Sequence, residues 1–118
     1  MNECNVAMLC GLAGEVTFRV LESGDELASL SVRVPGPGGK HTSVPVVLFN
    51  PPSWVEHLDG EAPVVVLGSI QRRFYKLASG ATGSSTEVVA SAIARVSDAR
   101  RVVALLRKAT MVLDALAA

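Results

Sequence analysis

Residues 64–76 of this chain are Val64-Val-Val-Leu-Gly68-Ser-Ile-Gln-Arg72-Arg73-Phe74-Tyr75-Lys76, an apolar run that continues directly into a basic and aromatic one. Its valine-rich start predicts one long β-strand that is buried at its beginning and exposed, basic and aromatic at its end. Alternate side chains of a strand share a face. The face that begins with Val64 is apolar as far as Ile70 and is expected to form core. The opposite face carries Val65 and Leu67, so we expect the C-terminal segment or another subunit to cover it.

The composition narrows the class of protein. A chain of 118 residues is long enough for one domain with its own core, and 49% apolar residues exclude a disordered chain. Its 11 basic residues balance its 11 acidic ones, so any attraction for a polyanion must come from local clusters. The cations at 72, 73 and 76 form one cluster, and residues 95–108 form a second basic region.

The sequence has no disulfide, metal or membrane signature. Cys4 and Cys10 fall in one predicted strand, roughly 20 Å apart at about 3.3 Å per residue, which is too far for a disulfide. The only histidines are His41 and His57, and no Cys-x-x-Cys pair occurs, so zinc-ligand spacing is absent. No apolar stretch approaches about 20 residues. We therefore expect a cytoplasmic protein with no metal, no cofactor, no membrane association and no small-molecule substrate.

Turn signals divide the chain into five strands and two helices. The strands are expected at residues 5–12 with a continuation at 16–21, then at 27–34, 42–49, 63–77 and 86–96. A short helix is expected at 51–58, loops at 35–41 and 78–85, and a longer helix at 97–118. Five strands with a helix between the third and fourth give the element order of an oligonucleotide-binding (OB) fold. The prediction is an all-β, five-stranded OB-fold barrel over residues 1–96, followed by a C-terminal amphipathic helix.

The C-terminal segment has a helical period. Its apolar residues fall within roughly 120° of arc at 100° per residue, and they are Val102, Leu105, Leu106, Ala109, Val112, Leu113 and Leu116. Ser97 is the expected N-cap, with Asp98 in the first turn. Two roles remain open for this helix: packing on its own barrel, or pairing with a partner helix in an oligomer.

The basic and aromatic end of residues 64–76 favours a single-stranded nucleic acid as ligand. Guanidinium groups follow phosphates, and an aromatic ring stacks on any base. A solvated basic strand end is the alternative interpretation. Trp54 is more typical of a core anchor than of a ligand platform. Ser53 and His57 lie four residues apart without an oxyanion pattern or an orienting carboxylate, so no enzyme is expected.

With these elements placed, the chain resembles the bacterial single-stranded DNA-binding protein family. The matching segments follow the family's order over about residues 5–95, and they are 5–11, 19–24, 27–30, 46–49, 66–75 and 86–89. Each segment is short, and their combination carries the resemblance. It implies an OB-fold barrel, usually a homotetramer or paired domains, that binds single-stranded DNA without sequence choice.

The resemblance also implies site residues. Phe49 and Tyr75 fall where the family places stacking aromatics, although Phe49 is also suited to plugging the barrel end. The implied phosphate contacts are Arg33, Lys40, Arg72, Arg73 and Lys76. Two tryptophans of the family have no counterpart at 35–43, and a helix stands where the family has an acidic tail. Losing two of four platforms, at about 1–3 kcal/mol per base, lowers the expected affinity and indicates a divergent, short paralogue.

Two functions follow from these observations. The first is sequence-independent binding of single-stranded DNA, which would serve DNA replication, repair and recombination by protecting or presenting exposed strands. The rival is an OB-fold interaction or assembly module that has lost nucleic-acid binding. Zero net charge and few aromatic residues favour the rival. In the rival the C-terminal helix mediates assembly with protein partners. A homo-oligomer, dimer or tetramer, is expected.

Overall fold

The computed structural model describes residues 4–58 and 60–117, which form a β-barrel with a helix on its outside. The strands are β1 (Ala7–Ala13), β2 (Thr17–Val20), β3 (Glu26–Pro35), β4 (His41–Phe49), β5 (Ala62–Lys76) and β6 (Thr82–Arg95). Short 3₁₀ turns occupy Pro37–Gly39 and Ser53–His57, and helix α1 spans Ala99–Ala117. The sheet order is β1-β5-β6-β4-β3-β2, and an additional pairing of β1 with β3 closes the barrel. Within the described ranges, no helix has the length and apolar character that crossing a membrane requires.

The first of the five expected strands is broken into two. β1 pairs with β5 along its whole length and reaches β3 only at Leu12 and Ala13, whereas β2 pairs with β3 alone. Between them, the Gly14 N–H donates to the Ser31 carbonyl oxygen at 2.8 Å. This bond holds the bend where the chain moves from one partner strand to the other. The strands predicted at residues 16–21 and 27–34 form a hairpin, which is present as β2 and β3.

The barrel core is formed by one face of β1, β3, β4, β5 and β6, whereas the four residues of β2 are exposed. Its largest sealed side chains are all valines: Val32, Val46, Val55, Val64 and Val66. β-branched side chains suit both the pleat and dense packing. Trp54, in the short helix, packs against this core, and the guanidinium carbons of Arg95 and Arg101 lie 4.8 and 5.5 Å from its ring centroid. The interpretation of Trp54 as a core anchor is confirmed.

The prediction of a loop at residues 78–85 is wrong for residues 82–85, which belong to a strand. β6 already begins at Thr82, and Tyr75 of β5 lies opposite Gly83. Glycine and serine have low β propensity, but a long partner strand leaves backbone groups that favour continued pairing. Only a tight turn at 77–81 joins the two strands. Residues 70–76 of β5 and 82–87 of β6 have no other strand neighbour, so they form a two-stranded arm, called here the arm.

A β-bulge reverses the alternation of faces within β6. Leu67 lies opposite Ala92, whereas Gly68 lies opposite Ala90, so Ser91 is the extra residue. An inserted residue shifts the following side chains to the other face. The core residues of β6 are therefore even-numbered before the bulge, Val88 and Ala90, and odd-numbered after it, Ile93.

Helix α1 packs on the outer face of β5 and β6. Leu105 and Ala109 are buried against Leu67 and Ala94, so the helix covers the apolar outer face noted in the sequence. Lys108 Nζ donates to the carbonyl oxygen of the bulge residue at 3.1 Å. Val102 is partly buried against the same cluster, whereas Leu106, Val112 and Leu113 of the predicted apolar face remain exposed.

The cap of helix α1 is Asp98, and the predicted cap at Ser97 is wrong by one residue. Asp98 Oδ1 accepts the Arg101 backbone N–H at 3.2 Å, and Oδ2 pairs with Arg101 Nε at 3.1 Å. A carboxylate here satisfies a free helix donor and also interacts favourably with the positive end of the helix dipole. Asp98 therefore gains an ionic contact that a serine cap lacks.

We expect Gly68→Ala to destabilise the fold. A Cβ at Gly68 would overlap the Val89 carbonyl oxygen, which is held by strand pairing beside the bulge. The free energy of unfolding should fall by about 1–3 kcal/mol, as for other overpacked sites, in urea denaturation followed by circular dichroism. Gly60→Ala is the control because a Cβ there meets open space. Equal unfolding midpoints for the two variants would contradict this close approach.

Candidate nucleic-acid interface

A groove crosses the outer face of the barrel beyond the region that helix α1 covers. It is lined by Thr17, Arg19, Leu27, Ser29, Val47, Phe49, Gln71, Arg73 and Glu87. A second hollow shares five of these residues and continues past Glu15, Ser31 and Pro45. In the first hollow the lining residues of β3 and β4 are all odd-numbered, because the even-numbered side chains of these strands pack in the core. The two hollows together are called here the outer groove.

Phe49 places an exposed ring in the outer groove. It ends β4 opposite Leu27 of β3, and 50% of its surface is exposed. Asn50 then turns the chain with a φ of 49°, and its backbone N–H donates to the Glu26 carbonyl oxygen at 2.7 Å. The turn ends the strand and leaves the ring on the outer face. Phe49 therefore does not plug the barrel end, the alternative considered from sequence.

Tyr75 lies on the arm, on the same face as Gln71 and Arg73. Its ring is 43% exposed and rests over Gly83 of the opposite strand. A Cβ at Gly83 would come within 2.7 and 2.8 Å of two ring atoms, so the glycine provides the space in which the ring lies. The phenol ring is thus supported from one side and open on the other.

Two arginines border the outer groove. Arg73 is a predicted site residue, whereas Arg19 was missed, although the alternation in residues 16–21 places it beside Thr17 on one strand face. Within the described ranges, side-chain ion pairs involve only Arg33 with Glu61 at 3.3 Å and the helix-cap pair. Neither arginine of the groove is therefore held by a carboxylate in the part of the chain that is described.

The other predicted phosphate contacts lie away from the outer groove. Arg72 and Lys76 are on the opposite face of the arm, because β5 alternates without interruption. Arg33 lines a separate hollow near the end of β1. Lys40 is exposed just after the 3₁₀ turn that joins β3 to β4. These four assignments stay predictions, and the structure brings only Arg73 and the two aromatic residues to one face.

An acidic side chain also borders the outer groove. Glu87 is 6% exposed, lies opposite Gln71 and accepts its Nε2–H at Oε1, with the two atoms 2.7 Å apart. A buried carboxylate requires such a donor. No role was predicted for Glu87 from the sequence. No group of three or more histidines, cysteines, aspartates or glutamates within residues 4–58 and 60–117 is arranged to hold a metal ion.

The fold is similar to that of solved single-stranded DNA-binding proteins. The Plasmodium falciparum SSB, solved in complex with ssDNA, gives a TM-score of 0.61 at 24% identity, covering 75% of this chain and 89% of that one. The mitochondrial single-stranded DNA-binding protein Rim1 of S. cerevisiae gives 0.63 at 18% identity, covering 80% and 96%. No protein-family model and no curated protein matches the sequence. At these identities the likeness establishes the fold, and the OB-fold prediction is confirmed.

We expect Gln71→Leu to destabilise the protein through Glu87. The variant removes the donor of a buried carboxylate, which should lower the free energy of unfolding by about 1–3 kcal/mol. Arg72→Leu, the next residue on the opposite face of the arm, should change it by less than about 0.5 kcal/mol. Urea denaturation at neutral pH measures both. A Gln71→Leu midpoint equal to that of Arg72→Leu would contradict the dependence of Glu87 on this donor.

Proposed function

We propose that this protein binds single-stranded DNA in the outer groove without recognising a defined sequence, and so protects or presents exposed strands. The observation that supports this most is the placement of two exposed rings, Phe49 and Tyr75, on the face that carries Arg19 and Arg73. Rings stack on bases of any kind, and guanidinium groups contact phosphates. The likeness of the fold to two single-stranded DNA-binding proteins adds support.

The proposed path of the strand follows the outer groove onto the arm. Bases would stack on Phe49 and, further along, on Tyr75, and would make apolar contacts to Val47 and Leu27, which line the groove with Phe49. The predicted cations outside the groove serve a strand that continues around the arm or towards the β3–β4 connection, and they are Arg33, Lys40, Arg72 and Lys76. Replication, repair and recombination all expose such strands, and the cytoplasm is the proposed location.

Local charge has to supply the attraction, because the formal net charge is zero. Each cation that neutralises a phosphate makes the affinity dependent on salt. This chain has two stacking rings, whereas the single-stranded DNA-binding protein family that it resembles has four aromatic platforms. We therefore expect it to bind single-stranded DNA more weakly than proteins of that family. This fits a divergent, short paralogue.

We expect a fluorescent mixed-sequence oligodeoxynucleotide to bind, with an affinity that falls as salt rises. Tyr75→Ala should weaken binding about 5-fold to 100-fold, since one stacked base contributes about 1–3 kcal/mol. Phe74→Ala is the matched control: it removes the neighbouring exposed ring from the opposite face of the arm. Fluorescence anisotropy measures all three proteins. Equal losses in the two variants would place the strand elsewhere.

Flat anisotropy at low salt, up to the solubility limit of the protein, would contradict DNA binding altogether. The second candidate function would then remain, an OB-fold module for assembly.

An exposed stripe on helix α1 supports assembly in either case, and it consists of Val103, Leu106, Thr110 and Leu113. Its three leucine and valine side chains are 45–50% exposed.

We propose that a second copy of this chain covers that stripe. The residues follow one another at intervals of three and four, the spacing of a helix–helix seam. The adjacent stripe, with Leu105 and Ala109, is already used against the barrel. A two-fold contact brings the same stripe of both copies together, so it needs no second kind of surface. The expected result is a homo-oligomer, a dimer or tetramer.

We expect Leu106→Glu to reduce the mass of the particle measured by light scattering, because the seam would bury a charge. Arg107→Glu is the control: it changes charge at the next exposed position, outside the stripe. Circular dichroism establishes that both variants keep the fold. An unchanged mass for Leu106→Glu, or a monomeric parent protein, would contradict the proposed seam.

A further inference from the structure

Glu87 is an unexpected residue for a groove proposed to hold a polyanion. Its carboxylate is nearly buried, yet it borders both hollows of the outer groove. A negative charge at this place repels phosphates, so it weakens the contacts that Arg19 and Arg73 would make. Nucleic-acid bases, unlike phosphates, carry N–H donors. A hydrogen bond from a base to Glu87 therefore accounts for an acidic residue at this position.

One oxygen of this carboxylate remains available to a ligand. Gln71 Nε2 donates to Oε1, and no other side-chain hydrogen bond to Glu87 occurs within the described ranges. A sealed second oxygen would be a buried acceptor without a partner. In the described chain the only side-chain nitrogen or oxygen of that kind is Trp54 Nε1. Oε2 is therefore not sealed, and since Glu87 lines the outer groove, it is open to the groove.

The neighbouring side chains define what this oxygen would meet. Phe49, Val47 and Leu27 line the same groove and offer a ring and two apolar side chains. In the register of β4 with β6, Val47 lies between the levels of Phe49 and Glu87. A base held over Val47, next to a base stacked on Phe49, would present its polar edge to Glu87. An acceptor in that position would sense the base edge.

We propose that Glu87 forms a base-edge subsite that favours bases with an exocyclic amino group, cytosine above all, over uracil and thymine. This inference rests on the proposed function. The cytosine N4 amino group donates to a carboxylate. Uracil and thymine present a carbonyl oxygen at that position, and their N3–H lies between two carbonyl oxygens that a carboxylate repels. Gln71 positions Glu87 by holding Oε1, so that Oε2 faces the base.

The test compares oligodeoxycytidine with oligodeoxyuridine of equal length at neutral pH and constant salt. The parent protein should bind the cytidine oligomer at least about fivefold more tightly, the lower end of discrimination by a good base contact. Glu87→Gln keeps an acceptor for Gln71 and adds a donor for the uracil carbonyl. The variant should bind the uridine oligomer more tightly, because a negative charge is gone and the new amide donor meets a carbonyl oxygen. It should bind the cytidine oligomer less tightly, because two donors then face each other. Its preference for cytidine should disappear or reverse.

The ratio of the two affinities separates this role from a structural one. A merely structural Glu87 would shift both affinities alike and leave the ratio unchanged in Glu87→Gln, which would overturn the inference. Equal binding of the two oligomers by the parent protein would overturn it as well, while leaving single-stranded DNA binding intact. Binding of neither oligomer would instead contradict the proposed function itself.

Discussion

The alternation of side chains along β5 determines where the core, helix α1 and the outer groove lie. A single uninterrupted strand sends Val64 and Val66 into the barrel and Leu67 to the outside. Because the pleat does not change along β5, Gln71, Arg73 and Tyr75 must share the outer face with Leu67. Helix α1 covers the first part of that face and leaves the second part open. The outer groove therefore begins where the helix coverage ends.

Strand β6, which pairs with β5, matches the two faces of β5 only because it contains a bulge. β6 supports the outer groove through Glu87 and the helix through Ala94, and the bulge at Ser91 lies between the two. The extra residue exchanges the faces of β6, so small alanines lie under the helix while valine and isoleucine still fill the core. Glycines make two close approaches possible: Gly11 against the Arg33 carbonyl oxygen, and Gly68 against that of Val89. Both lie in strands, where glycine otherwise weakens pairing.

The sequence predicts the elements and core of this fold because hydrophobic periodicity reports burial directly. It does not predict the bulge or the break between β1 and β2, since these depend on which strands meet at the barrel corners. The start of β6 was missed because pairing with a long partner overrides the low propensity of glycine and serine. Arg19 and Glu87 were not predicted as site residues for a different reason. Each can be placed on a strand face from the sequence, but only the curl of the sheet brings the faces of five strands together.

We propose that a single DNA strand binds to the outer groove and the arm rather than to the surface as a whole. To test this, the isotopically labelled protein is titrated with a short mixed-sequence oligodeoxynucleotide, and the backbone amide NMR shifts are followed. We expect the perturbed amides to cluster at the groove strands, around Arg19, Phe49, Arg73 and Glu87. Perturbations confined to helix α1 and β1, or none at saturating oligonucleotide, would contradict it.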